Sequence, residues 1–200
     1  MRAPAGQRAR RRAGDRGAVL VELALISTIL VTLVLGVFEI GMAWSDHQEV
    51  TAASRSGARV GSQLGISAQA DNQILLSVQA GLGSLAPQVA KIVIFEADAN
   101  GNMPAACETA GAGYAGAAHC NVYGTTSLAA LSTSNQWGSG AVCGPLDGNW
   151  CSVTKRSNIQ ATATYLGVYV EINHKYLTGL FGGGTKKMTE STVMRLEPVQ

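Results

Sequence analysis

GDRGAVLVELALISTILVTLVLGVFEIG, residues 14–41, contains an apolar run long enough to cross a lipid bilayer. Twenty-one consecutive residues, 18–38, include a single charge, Glu22. At 1.5 Å per residue they form about 31 Å of helix, which matches a hydrocarbon core of roughly 30 Å. The pattern therefore predicts one transmembrane helix from Ala18, and the proline-free sequence that follows predicts that this helix continues to about Gly65.

A removable secretory signal is the alternative interpretation of this run. Such signals usually have an apolar core of about 7–15 residues followed by a cleavage site of small residues. The run in this chain is longer, carries an acid near its start and is followed only by the weak candidate site Gly41-Met42-Ala43. We therefore expect the apolar segment to be retained in the mature protein.

The residues before the span are strongly basic, with six arginines opposed only by Asp15. Without this leader, nine basic and twelve acidic side chains remain of the chain's 15 and 13. Arginines that flank a first span stay on the cytoplasmic side, so the rest of the chain is expected outside the cytoplasm. A basic leader can also bind nucleic acid, but no basic surface interleaved with aromatic residues follows it, and we expect no nucleic-acid partner.

All four cysteines follow the span, at positions 107, 120, 143 and 151. An even number of cysteines in an oxidising compartment predicts two disulfides, and proximity favours Cys107 with Cys120 and Cys143 with Cys151. Four cysteines nevertheless allow three connectivities. A zinc site is the competing interpretation, but these spacings lack the C-x-x-C element of zinc sites.

Residues 66–200 are predicted to form an extracytoplasmic α+β domain. Apolar positions at helical spacing, Ile74 to Leu82, predict a second short helix, and residues 91–97 predict a strand. Residues 98–157 are rich in small and polar residues, so we expect them to bury little surface and to depend on the disulfides. Alternation over residues 159–165 and again from Val168 predicts further strand, with a bulge or bend at Leu166-Gly167. Residues 186–198 predict the last strand of a small antiparallel sheet.

Small residues recur at every fourth position in the exposed half of the long helix. They are Ala53, Gly57, Gly61 and Gly65. Glycine inside a helix costs about 1 kcal/mol relative to alanine, so this repetition indicates a close contact. The stripe is expected to pack either on the globular part of the same chain or on a partner helix, and we predict the partner.

Some patterns resemble catalytic or cofactor sites, but the sequence around each of them lacks features that such a site requires. The G-x-G-x-x-G at residues 111–116 lacks the strand and helix that a dinucleotide site requires. Asp98, Asn100 and Asn102 begin like a calcium loop, but Met103 and Thr109 occupy the places of the required glycine and glutamate. The three histidines show no metal-ligand spacing, and no nucleophile motif or H-E-x-x-H is present. We therefore expect no enzymatic activity, no catalytic residues, no metal and no cofactor.

The N-terminal residues resemble a known processing signature. A basic leader that ends in Gly17, followed by an apolar helix that begins Ala18-Val19-Leu20-Val21-Glu22, resembles the signature of prepilins. With the later TAASRSGARVGS and the C-terminal VMRLEP, the chain is similar to TadE-like minor pilins of the tight-adherence pilus system. The resemblance implies cleavage between Gly17 and Ala18 by a prepilin peptidase. It also implies a related, TadF-like minor pilin, the pilus assembly machinery and the cytoplasmic membrane as partners.

Cleavage would also give Glu22 a role. The new α-amino group of Ala18 would lie four residues before Glu22, on the same helix face, and an acid in lipid is tolerated when a cation neutralises it. We therefore predict that Glu22 docks onto the N-terminus of its own or a neighbouring subunit during assembly. The alternative is an acid close enough to the lipid headgroups to need no partner. The alternative function is an uncleaved, single-pass receptor whose outer domain binds a ligand.

Overall fold

The computed structural model describes residues 6–179 and 184–198, and its side chains from Gly17 onward except that of Ser134. The part of the leader before Gly6 lies outside the described residues. The described helices are α1 Gly6–Leu64, α2 Ala70–Leu82, α3 Ala105–Thr109, α4 Thr125–Ala129 and α5 Ser152–Lys155. The strands are β1 Val89–Glu96, β2 Cys120–Tyr123, β3 Tyr165–Lys175 and β4 Thr185–Arg195. Short 3-10 helices span Gly83–Gln88 and Ser134–Gln136.

The contacts divide the chain into two units. The first contains α1 up to Ala43 together with a segment that begins at Tyr176. The second runs from Trp44 to Lys175, resumes at Gly184, and therefore includes the C-terminal part of α1. We call the second unit the outer domain.

The outer domain is α+β, as the sequence predicts. Its antiparallel sheet has the strand order β2-β1-β3-β4, so β1 and β3 are central. Leu166 and Val168 of β3 face α1, and Ile74 of α2 packs beside them. The opposite face of the sheet carries a second cluster that includes Phe95, Val122 and the Cys107–Cys120 disulfide. Both faces of the sheet are therefore covered within this one chain.

Two predictions about the sheet are wrong. Residues 159–163 form a turn rather than a strand, because the Thr162 amide donates to the Ile159 carbonyl at 2.9 Å and the Thr164 amide to the Ser157 carbonyl at 2.8 Å. The pairing of β3 runs without a bulge at Gly167. A Cβ at Gly167 would lie 2.2 Å from the Phe95 ring, so glycine makes room for an aromatic side chain on the neighbouring strand.

The expectation that residues 98–157 bury little surface is also wrong. The segment contributes β2, which sequence analysis did not predict, and three buried aromatic side chains: Tyr123, Trp137 and Trp150. Each such side chain removes roughly 150–250 Å² from water. A segment poor in aliphatic residues therefore contributes to the core through a few large rings.

The stripe of small residues packs inside the outer domain, so the predicted partner seam is wrong. A Cβ at Gly57 would lie 2.5 Å from Cγ2 of Val78, and one at Gly61 would lie 2.8 Å from Cδ2 of Leu166. Ala53 is fully buried, and a Cβ at Gly81 of α2 would lie 2.9 Å from its Cα. These small residues let α1 approach α2 and β3 closely.

Gly65 belongs to the stripe by spacing but has a different role. Its backbone adopts a φ of 53°, in the left-handed region that glycine enters without strain. Its amide donates to the Gly61 carbonyl at 3.1 Å. Gly65 therefore terminates α1, as glycine commonly does after a helix.

Replacing Gly57 with leucine is expected to destabilise the outer domain by about 1–3 kcal/mol, because the added side chain would overpack a filled contact with α2. The measurement is urea unfolding of the full-length protein in detergent, followed by tryptophan fluorescence. Ala52→Leu is the matched control, since Ala52 lies on the exposed side of the same helix. An unchanged unfolding curve for Gly57→Leu, with loss of a co-purifying partner, would restore the intermolecular seam.

Candidate functional site: the N-terminal helix

The apolar half of α1 is exposed on every side. Its most apolar 18-residue window has a mean hydropathy of 2.6, and none of that window is buried by the protein. Large side chains around the whole circumference of the helix are exposed, among them Val19, Leu20, Val21, Leu25 and Ile29. A helix that is apolar all round requires an apolar environment on all sides. Among the described residues, this is the one helix that is long and apolar enough to cross a membrane.

The hydroxyl groups within the span are satisfied by the helix itself. Thr28 Oγ1 donates to the Ala24 carbonyl at 2.8 Å, and Thr32 Oγ1 donates to the Thr28 carbonyl at 2.8 Å. Ser27 Oγ similarly bonds to the Ala24 carbonyl at 3.1 Å. Such local bonds remove the cost of placing a hydroxyl in hydrocarbon. These polar residues are therefore compatible with a membrane span.

Glu22 differs from these hydroxyl groups. It is exposed on α1, and the ion pairs formed by the described residues do not include it. Gly17 and Ala18 lie one turn earlier in the same helix and are also exposed. A Cβ at Gly17 would meet no atom within 4 Å. The predicted cleavage site and the predicted docking acid therefore lie together on accessible helix.

A model of a known protein family matches this region. The model of a family described as TadE-like protein matches residues 17–59. Residues 17–59 are similar to TadE-like proteins. The matched segment begins at Gly17, contains Glu22 and the whole apolar span, and ends within the part of α1 that belongs to the outer domain. No curated protein and no solved structure matches the chain.

The TadE-like segment contains a second acid, Glu39, whose environment sequence analysis missed. Its side chain is only 1% exposed. Oε1 accepts a hydrogen bond from the Leu177 amide at 2.6 Å, and Oε2 accepts bonds from the amide and hydroxyl of Thr178 at 3.0 and 2.7 Å. The donors lie 138 and 139 positions along the chain, so no local spacing could have indicated them.

The outer domain contains a buried ionic cluster. Arg156 Nη2 lies 2.6 Å from Asp71 Oδ1, and both side chains are essentially inaccessible. Asp71 Oδ2 accepts hydrogen bonds from Tyr123 Oη at 2.6 Å and Asn121 Nδ2 at 2.7 Å. The Arg156 guanidinium also stacks on the Trp150 ring at 4.1 Å. The cluster thus connects α2 and β2 with the residues on either side of α5.

Burial changes the protonation behaviour of two groups around this cluster. Desolvation, with a contribution from the Asp71 carboxylate, raises the pKa of Tyr123 well above its usual value. The phenol therefore keeps its proton and remains a donor to Asp71. Desolvation, and after it the charge of Asp71, also raises the pKa of Asp147. The amides of Gly138 and Gly144 donate to the Asp147 carboxylate and act in the opposite direction, but their effect is smaller.

Both disulfides predicted by proximity are present, Cys107 with Cys120 and Cys143 with Cys151. A zinc site on these cysteines is therefore excluded. Closing a short loop stabilises a folded protein by about 2–4 kcal/mol. The second bridge lies next to Trp150 in the chain and restrains the segment that carries this ring and Arg156 into the core.

Asp98 and His119 form local contacts in the outer domain. Asp98 caps a turn, with its carboxylate accepting the amides of Asn100 and Asn102 at 2.8 Å each, and the Asn102 amide lowers the pKa of Asp98. His119 is exposed, and its ring contacts the Glu96 carboxylate. Within the described part of the chain, no three histidine, cysteine or acidic side chains are grouped to hold a metal ion.

Proposed function

We propose that this protein is a membrane-anchored minor pilin or pseudopilin that takes part in assembling or initiating a tight-adherence pilus. The observation that carries the proposal is the TadE-like match over residues 17–59, which contains an apolar helix exposed on all sides. This family implies an association with the tight-adherence pilus. The proposed role is structural and non-enzymatic, and requires no cofactor.

The first step in this function is removal of the leader by a prepilin peptidase. The peptidase would cut between Gly17 and Ala18, both of which are accessible on α1. Glycine before the cut leaves no side chain on the N-terminal side of the scissile bond. The basic residues of the leader would hold it on the cytoplasmic side and place the outer domain outside the cytoplasm, where its two disulfides are stable.

The second step is docking within the membrane. Cleavage would create an ammonium group at Ala18, and Glu22 would supply the opposite charge one helical turn away or on a neighbouring subunit. Neutralising a charge in hydrocarbon is strongly favoured, since an isolated acid there costs roughly 3 kcal/mol on insertion scales. A TadF-like minor pilin and the pilus assembly machinery are the proposed partners in this step.

Gly17→Leu is expected to leave the leader attached to most of the protein, because a bulky side chain would fill the place of the glycine beside the scissile bond. N-terminal sequencing or intact-mass measurement of membrane-extracted protein reads the result directly. The wild-type chain should begin at Ala18. Gly36→Leu, at an open position in the same helix, should be processed normally.

Assembled, functional protein that still begins at Met1 or Arg2 would refute the processing step. It would favour instead the uncleaved single-pass receptor, in which the outer domain binds a ligand and the leader serves only to orient the span.

A further inference from the structure

The connection between β3 and β4 contains an exposed apolar side chain beside the end of the apolar span. We call residues 176–179 the β3–β4 tip. Leu177 in this tip is 71% exposed, although its backbone amide is bonded to the carboxylate of Glu39. An exposed leucine by itself is ordinary, but its position next to a membrane helix is not.

The position of the tip follows from α1. Glu39 is the first residue after the apolar run of residues 18–38, and each helical residue advances only 1.5 Å along the axis. Atoms hydrogen-bonded to the Glu39 carboxylate therefore lie at the boundary of the hydrocarbon. The Leu177 and Thr178 amides are 2.6 and 3.0 Å from that carboxylate. The tip thus lies at the level where the span leaves the membrane core.

The contact between the tip and Glu39 replaces the water that the buried carboxylate has lost. A carboxylate at the edge of hydrocarbon is costly unless polar groups replace its water. The tip supplies two amides and one hydroxyl to the two oxygens and leaves the side chain only 1% exposed. The helix next to it remains apolar and open, with Val37, Phe38 and Ile40 all exposed. Leu177, whose amide is bonded to Glu39, adds one more exposed apolar side chain at this level of the helix.

We propose that the β3–β4 tip is a second membrane contact of this protein, seated in the outer interface of the bilayer with Leu177 in contact with lipid and held to α1 by Glu39. The inference rests on the proposed anchoring of α1 and adds a lipid-binding element from the C-terminal half of the chain. Its occupant is lipid because the surface is continuous with the span that lipid surrounds. The chain would then be attached to the membrane at two places, which limits rotation of α1 about its own axis.

The test uses the full-length protein in vesicles of phosphatidylethanolamine with a minor share of phosphatidylglycerol. A nitroxide label is attached in separate variants to Leu177→Cys, to Ile159→Cys and to Val37→Cys in the span. Ile159 is an apolar position in the outer domain whose exposed fraction, 67%, is close to the 71% of Leu177. The native cysteines are paired and do not compete for the label. Collision of the label with oxygen, which partitions into lipid, is compared with collision with a water-soluble nickel chelate.

The expected result is a preference for oxygen at positions 37 and 177, and a preference for the nickel chelate at position 159. Nickel accessibility at 177 equal to that at 159, with 37 in lipid, would overturn the inference and leave the anchor intact. The same outcome would be found if a partner subunit, absent from these vesicles, were the true occupant. Nickel accessibility at 37 would instead overturn the proposed anchor itself.

A second substitution tests the role of Glu39. In the Leu177→Cys background, Glu39→Gln removes the charge and replaces one acceptor oxygen with a donor, so nickel accessibility at 177 should rise several-fold. Glu49→Gln makes the same change ten residues later in α1 and should leave the label unchanged. A label that stays equally lipid-exposed in Glu39→Gln would overturn the proposed attachment of the tip by Glu39.

Discussion

Arg156→Met is expected to destabilise the outer domain by about 3–5 kcal/mol, because it leaves the Asp71 carboxylate buried without its cation. The two groups lie 2.6 Å apart and neither reaches solvent. The remaining partners of Asp71, Tyr123 and Asn121, are neutral donors that cannot compensate a full charge. A loss of this size is a large fraction of the stability of a typical domain.

Urea unfolding of the full-length protein in detergent measures this loss. Tryptophan fluorescence is a direct probe, since the Arg156 guanidinium stacks on the buried Trp150 ring. Arg59→Met is the matched control, because Arg59 lies exposed on α1, and surface changes usually fall within about 0.5 kcal/mol. A shift in Arg156→Met no larger than that of the control would show that the buried pair contributes nothing to stability.

A double substitution separates the ion pair from simple packing loss. Asp71→Asn combined with Arg156→Met removes both charges. The double substitution should therefore lower the free energy of unfolding by less than the sum of the two single substitutions. Removing a buried ion pair as a unit is often nearly neutral, whereas removing one partner is not. Strict additivity of the two losses would mean that Asp71 and Arg156 act independently, although their charged groups lie only 2.6 Å apart.

Glu22→Gln is expected to reduce pilus assembly by about ten- to a hundredfold while leaving membrane insertion unchanged. A hydrogen bond to a charged group contributes about 1.5–3 kcal/mol, and 1.4 kcal/mol corresponds to a factor of ten. The glutamine side chain keeps the size of the original but cannot neutralise the ammonium group that cleavage would create at Ala18. Insertion should persist, because removal of a charge makes the span more apolar.

Membrane extraction and N-terminal sequencing of the Glu22→Gln protein would establish insertion and cleavage, and the yield of sheared pili would report assembly. Glu49→Gln is the control, as the same change outside the apolar span. Wild-type pilus yield from Glu22→Gln would contradict the docking role and favour an acid that only lies near the headgroups.

Sequence-local features account for the parts of this protein that were predicted correctly. A run of 21 residues with one charge is visible without a structure, because the hydrocarbon thickness sets the length of a span. The periodicity from Ile74 to Leu82 predicted α2, since one helix face must be apolar to pack. The disulfides followed from proximity because they close short loops, with separations of 13 and 8 residues.

The stripe on α1 shows where local information ends. Its spacing established that small residues occupy one helix face, but only the packing of Val78 and Leu166 against Gly57 and Gly61 decided that the face is covered from within. Gly167 is a similar case, because its reason is a Phe95 ring on a different strand. A glycine in the sequence can indicate that space is needed at its position, but it does not indicate which atoms occupy that space.

The charged residues mark the same division most clearly. The amino-acid sequence by itself determined the long apolar helix, the basic charge of the residues before it and the position of Glu22, because each depends on neighbours within a few residues. Only the tertiary structure paired Asp71 with Arg156 and Glu39 with the β3–β4 tip. A buried charge needs one specific partner, and the fold can bring that partner from any distance along the chain. The spacing of charged residues in the sequence therefore does not predict which of them pair.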